Sequence, residues 1–189
     1  MPKSTQRIVL ISSCDGLSSI SSRNLFAGDN LEIVGIVEAR TSLAHKLKIL
    51  RNAVLAGSFY YAVYIQFEAL MGRLAARRLR GKDNTQIPDL RDLDMPRHIT
   101  LNPNDQPTVK FIRELKPDVV LAIRPVHVFR KPLLDAVPPV VNLHCTALPK
   151  HRGIAGIMRA LAAGDKTLGA TLHSVTDEKI DSGSVVSQR

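Results

Sequence analysis

A length of 189 residues suits one α/β domain, and a hydrophobic content of 44% is normal for a globular core. Two cysteines, Cys14 and Cys145, make no disulfide framework, and without a Cys-x-x-Cys pair the usual mark of a metal site is missing. The formal net charge is +9, and eight basic residues between Leu43 and Lys82 stand against Glu68 alone, so most of that charge sits in one segment and points to anionic partners.

Aromatic residues are few (4%) and Trp is absent, so the core is expected to be Leu, Ile, Val and Ala. The first apolar run, Ile8-Val9-Leu10-Ile11, is too short for the core of a signal peptide, and a cytoplasmic protein is the default expectation. Arg7–Ile11 reads as the first strand. Ser12 to Ser19 follow, where a Rossmann-like domain places its first ligand loop. A strand-to-helix turn capped by Ser or Asp accounts for the same residues. A helix is predicted over Ser18–Ala27, closed by Gly28-Asp29-Asn30, and a second strand over Leu31–Glu38. Glu38 stands where a dinucleotide fold contacts a ribose, but the first loop lacks Gly-x-Gly-x-x-Gly, which argues against that role.

Ser42–Arg80 reads as one long helix or a helical hairpin with an apolar face and basic ends. Its apolar run, Ala53–Ile65, falls short of the roughly twenty residues a membrane span needs. Packing against the domain or a second subunit is the first expectation, giving a homodimer through this segment. A membrane surface, or a tRNA or nucleotide, is the alternative contact. Gly81–Asp94 reads as a surface loop and His98–Leu101 as a short strand. Asn102-Pro103-Asn104-Asp105 turns the chain and caps a helix over Gln106–Leu115, with Val109, Phe111, Ile112 and Leu115 inward. Val119–Ile123 is a near-continuous apolar strand, as in the middle of a parallel sheet. Further helices are predicted over Lys131–Ala136 and Ile154–Ala163, and further strands over Thr167–Val175 and Ser184–Ser187.

Val140 and Val141 end another apolar run. Asn142 and His144 then share one side of the extended chain, at the carboxyl end of a strand, the edge at which open α/β sheets bind ligands. An amide can hold an oxygen that gains negative charge, and an imidazole can move a proton near neutral pH. Asp181, in Ile180-Asp181-Ser182-Gly183, could orient that imidazole. Two polar residues capping a loop would look the same at Asn-x-His alone. Cys145 faces away from His144 and is expected to be a small buried residue rather than a nucleophile.

The wider series occurs in one order: Asn142-Leu143-His144, Leu148-Pro149-Lys150-His151-Arg152-Gly153, Met158-Arg159-Ala160-Leu161, Gly164-Asp165, Gly169-Ala170-Thr171-Leu172-His173 and Thr176-Asp177-Glu178-Lys179-Ile180-Asp181-Ser182-Gly183. It resembles the folate-dependent formyltransferases, a family that includes methionyl-tRNA formyltransferase, glycinamide ribonucleotide formyltransferase and the sugar N-formyltransferases. The likeness runs from about Lys116 to the end.

The resemblance implies an α/β, Rossmann-like formyltransferase domain, with a mostly parallel sheet flanked by helices and a helical insertion at about 43–82. It implies transfer of a formyl group from 10-formyltetrahydrofolate to a primary amine. Asn142 would hydrogen-bond the formyl oxygen, His144 would act in proton transfer, and Asp181 would pair with His144. The loop Arg124–Arg130 matches one whose backbone contacts the pterin, which places those contacts at Val126, His127 and Val128. The loop Val175–Asp181 is expected against the folate, with Val175 and Asp177 as contacts.

Departures from the family pattern bear on the acceptor. The first loop keeps only Gly16 of the glycines that hold a substrate phosphate in the glycinamide ribonucleotide enzymes, and Asp15 would repel a phosphate. Family members usually continue for another strand and a closing helix, and methionyl-tRNA enzymes add a carboxy-terminal tRNA domain. Those expectations rank a small-molecule amine, such as an amino sugar, ahead of tRNA. A 10-formyltetrahydrofolate hydrolase with water as acceptor is one rival. A non-catalytic folate- or RNA-binding relative that works through its basic helix is the other.

Overall fold

A computed structural model describes residues 5–22, 25, 26, 30–44 and 89–189, with isolated positions between 47 and 78. Within these, one seven-stranded sheet organises the chain: β1 (Gln6–Ser12), β2 (Leu31–Ala39), β3 (Arg97–Thr100), β4 (Val119–Ile123), β5 (Val140–His144), β6 (Thr171–Val175) and β7 (Val185–Gln188), in the spatial order β3-β2-β1-β4-β5-β6-β7. The ladders from β3 through β5 are parallel, and β6 and β7 join antiparallel. Among the described residues, the helices with both ends defined are α1 (Gly16–Ser21), α2 (Gln106–Glu114), α3 (Lys131–Leu134) and α4 (Gly156–Ala162).

The central strands β1, β2 and β4 bury apolar side chains on both faces, which is why they read as continuous apolar runs. Val9 and Ile11 pack on one face with Val120, Ala122 and Val140, beneath Val109 and Ile112 of α2 and Leu133 of α3. Ile8 and Leu10 pack on the other with Ile36, Leu121, Ile123 and Leu90. Each fully buried Leu or Ile of this kind contributes roughly 1.5–3 kcal/mol. α2 begins at Asp105, whose carboxylate accepts the Thr108 N–H at 2.9 Å, and Pro107 follows in the first turn, where no amide hydrogen is needed.

Several boundaries differ from the sequence expectation. α1 starts earlier and ends at Ser21, where the Ser22 hydroxyl turns back onto the carbonyls of Ser18 and Ser19 and competes with a further turn. The turn before it is a cap: Asp15 accepts the Ser18 N–H at 2.7 Å. α4 starts at Gly156 because Ala155 has φ 56°, a left-handed backbone that cannot continue a helix backwards. The strand expected from Thr167 begins at Thr171, opposite His144, because β5 offers no partner beyond that point. β3 runs Arg97–Thr100, shifted by one residue.

Most of the expected insertion at 43–82 lies outside the described residues; the isolated positions described there, among them Leu47, Val63, Leu70 and Arg78, are helical. Among the described residues, no helix is long and apolar enough to cross a membrane. Glu38, at the end of β2, is buried and paired with Arg40 at 2.9 Å, Arg91 at 3.3 Å and Arg97 at 3.6 Å, so internal ion pairs occupy its carboxylate.

Candidate active site

Alternation along β5 puts Val140, Asn142 and His144 on one face, with Val140 in the core and the two polar residues toward the carboxyl end. β6 runs alongside, pairing Asn142 with His173 and His144 with Thr171. All four polar side chains are buried to 7% exposure or less. Polar groups in such a place need partners, and most find them in one carboxylate.

That carboxylate belongs to Asp181. Its Oδ2 accepts the Gly153 N–H at 2.7 Å and lies 3.3 Å from Nδ1 of His144. Its Oδ1 accepts from Nδ2 of Asn142 at 3.2 Å and lies 3.3 Å from Nε2 of His173. The structure thus brings Asn142, His144 and Asp181 together and adds His173 to them. Asn142 also shares a hydrogen bond with Nε2 of His173 at 3.1 Å, while its own Oδ1 is buried and without a partner.

The remaining ring nitrogen of His144, Nε2, is 3.2 Å from the His151 carbonyl. That carbonyl also accepts from Arg159 at 3.0 Å, and Arg159 binds the Arg152 carbonyl as well. The loop after β5 is therefore folded over the imidazole. Two features hold it there. Thr171 Oγ1 donates to the Thr146 carbonyl at 2.8 Å and accepts the Leu148 N–H at 3.0 Å. Gly156 leaves room: a Cβ there would stand 2.8 Å from Thr146 Cγ2 and 2.9 Å from the His151 carbonyl. A cleft of about 320 Å³ adjoins the same loop, lined by Thr146, Leu148, His151, Asp165 and Leu168, with Nε2 of His151 2.9 Å from Asp165 Oδ2 on its wall.

The other residues singled out from the sequence lie around this cluster or away from it. Ile123 pairs with Leu143, so the loop carrying Val126, His127 and Val128 leaves β4 beside the end of β5, with both valines well exposed. Asn104 fixes that loop, donating to the Val128 carbonyl at 3.0 Å and accepting the Arg130 N–H at 2.7 Å. Val175 pairs with Val140, at the opposite end of β5 from His144, and packs on the core. Asp177 is exposed and accepts the Lys179 N–H at 2.9 Å, shaping the turn that returns the chain to Asp181. Cys145 is exposed, contrary to expectation: the face opposite His144 is uncovered once β5 has ended. Cys14 is the buried thiol, and burial, reinforced by the charge of Glu38, pushes it up to about 11. Among the described residues, no group of three His, Cys, Asp or Glu side chains could hold a metal ion.

His173 was within reach of the sequence. Thr171 and His173 alternate on a strand, and a His at a core-facing position calls for a polar partner; only the pairing with β5 names that partner as Asn142.

The comparisons with known proteins agree with this architecture. A methionyl-tRNA formyltransferase of Fervidobacterium nodosum is 35% identical over 81 residues, covering 43% of this chain and 26% of its own length. The chain thus spans about a quarter of that relative. The structure of a phosphoribosylglycinamide formyltransferase from Bacillus halodurans superposes with a TM-score of 0.56 at 16% identity, over 97% of this chain and 78% of that one. A sugar N-formyltransferase from Shewanella sp. FDAARGOS_354 gives 0.53 at 16% identity, over 97% and 56%. The family model described as formyl transferase matches residues 78–189, the stretch that supplies β3 to β7 and every member of the buried cluster, and on that match this chain belongs to the formyl transferase family.

Proposed function

We propose that the chain transfers a formyl group from 10-formyltetrahydrofolate to the primary amine of a small metabolite, an amino sugar being the acceptor class we favour. One observation carries this reading: an amide, an imidazole and a carboxylate meet at the carboxyl end of β5, and the amide has a buried oxygen edge without a partner. Formyl transfer needs those groups. The amine nitrogen attacks the formyl carbon, the bond from that carbon to the donor nitrogen breaks, and one amine proton moves to the departing nitrogen.

Asn142 supports the formyl oxygen as it gains negative charge. That role needs an amide N–H at the position now held by its Oδ1. His144 carries the proton. Its Nδ1 faces Asp181, which leaves Nε2 for exchange, and the His151 carbonyl must give way for that edge to be used. Asp181 holds the ring by its Nδ1 side and so fixes its orientation. Val126 and Val128 offer exposed apolar surface for a flat ring system, with His127 between them, while Asp177 shapes the turn that completes the folate side. Val175 would reach the folate only through the loop that follows it.

The test supplies 10-formyltetrahydrofolate with nucleotide amino sugars, with methionyl-tRNA and with no amine, and follows tetrahydrofolate release. Release that depends on the amino sugar supports the reading. Formate release without an amine makes the chain a hydrolase, and binding of a folate with no turnover in any arm rejects catalysis.

A further inference from the structure

We propose that His173 is a positioning residue for Asn142: whether its Nε2 carries a proton decides which edge of the Asn142 amide meets the formyl oxygen. The proposal rests on the role given to Asn142 in formyl transfer, but its structural half stands without it.

The argument starts at the other ring nitrogen. Nδ1 of His173 is 2.9 Å from the Ser174 carbonyl oxygen. A carbonyl only accepts, so Nδ1 bears a hydrogen. In the singly protonated ring, Nε2 is then an acceptor, and Asn142 Nδ2 donates to it at 3.1 Å. The second amide hydrogen goes to Asp181 Oδ1 at 3.2 Å. Both N–H groups of Asn142 are thereby engaged, and its Oδ1 is the buried atom left without a partner. The amide in this state offers an acceptor where formyl transfer needs a donor. The arrangement also leaves two acceptors facing each other, since Nε2 of His173 lies 3.3 Å from Asp181 Oδ1.

A proton on Nε2 reverses the pattern. The ring becomes a donor and draws the amide oxygen toward it, which a half-turn about the Cβ–Cγ bond of Asn142 supplies. The NH2 group then occupies the position that has no partner and can meet the formyl oxygen. Asp181 Oδ1 then meets the amide oxygen where it had an amide hydrogen, and the Nε2–H of the positively charged ring lies between the two oxygens. The charged and titratable groups facing His173 among the described residues are Asp181 from the loop before β7 and, through the same carboxylate, His144 from β5. His173 is 1% exposed, so its ring is shielded from bulk solvent.

The experiment reads the amide directly. In uniformly 15N-labelled protein, the side-chain NH2 signals of Asn142 are assigned by their loss in Asn142→Ala and followed as the His173 ring is titrated. We expect them to move with the His173 midpoint and to stop moving in His173→Asn, which keeps a donor at the Nδ1 position but has no group at Nε2. Signals that ignore the ring, or that still move in the variant, overturn the proposal. In the formyl-transfer assay, His173→Asn should lower kcat about tenfold or more while KM changes by less than about twofold, and His173→Gln, which restores a donor near Nε2, should recover part of the loss. A parental kcat in His173→Asn also overturns it. If no form of the chain turns over any amine, the formyl-transfer reading fails, and the amide signals still decide the role of His173.

Discussion

Asp181 reaches His144 with Oδ2 3.3 Å from Nδ1, and it does so from a left-handed backbone with φ 48°. A non-glycine residue in that region carries a cost that the surroundings must offset, and the Gly153 N–H bound to the same oxygen at 2.7 Å is part of what does so. Asp181→Asn should lower turnover by about a thousandfold or more, because an amide can face the ring or the Gly153 N–H correctly but lacks the charge for either. Folate affinity, measured by fluorescence quenching, should change little. Near-parental turnover would show that the pair does not act in the reaction.

Asn142 should act on the rate rather than on binding. Loss of an oxyanion donor typically costs about a hundred- to a thousandfold in kcat, and Asn142→Ala should fall in that range with both Michaelis constants close to parental. Asn142→Asp should be at least as damaging, since a carboxylate repels developing negative charge. Steady-state kinetics at saturating donor decides this: a variant altered only in KM would make Asn142 a binding residue.

Gly156 should resist substitution. A methyl group there would press on Thr146, on the His151 carbonyl and, at 3.4 Å, on Nε2 of His144. Overpacking of this kind costs roughly 1–3 kcal/mol. Gly156→Ala should therefore lower the thermal midpoint and reduce turnover together. A variant as stable and active as the parent would mean that the loop over His144 shifts freely.

Asp15 should contribute to acid stability. Burial pushes its carboxyl up, but the Arg124 guanidinium and the hydrogen bonds from Ser18 outweigh that and hold it below its ordinary value of 3.8. The stability it adds is present above that ordinary value and is lost as pH falls through the lower folded-state value. Asp15→Asn keeps a cap oxygen for the Ser18 N–H but has no charge to lose. Urea midpoints compared at about pH 6 and about pH 3 should fall less in the variant than in the parent. Equal falls would show that Asp15 plays no part in the acid transition.

Much of this molecule could be read residue by residue. The apolar runs at Ile8–Ile11, Val119–Ile123 and Val140–Val141 mark strands buried on both faces, and Asp105 marks the start of α2, because the forces that shape these elements act between near neighbours. The shared face of Asn142 and His144 follows from strand alternation alone. Contacts between distant residues are of another kind. That Asp181 touches His144, Asn142 and His173 at once depends on how the loop after β6 returns across the sheet, and that His173 meets Asn142 rather than another residue depends on the antiparallel register of β5 with β6. The place of Glu38 at the end of β2 leaves a ligand role open, and only the fold shows its carboxylate taken up by Arg40 just after β2, Arg91 before β3 and Arg97 of β3. Cys145 was expected to be buried because alternation states which side a residue faces but not whether that side is covered. Periodicity along a chain carries no information about which neighbour lies across the ladder or above the sheet; that follows from topology and packing, and the choice of partner for each buried polar group follows with it.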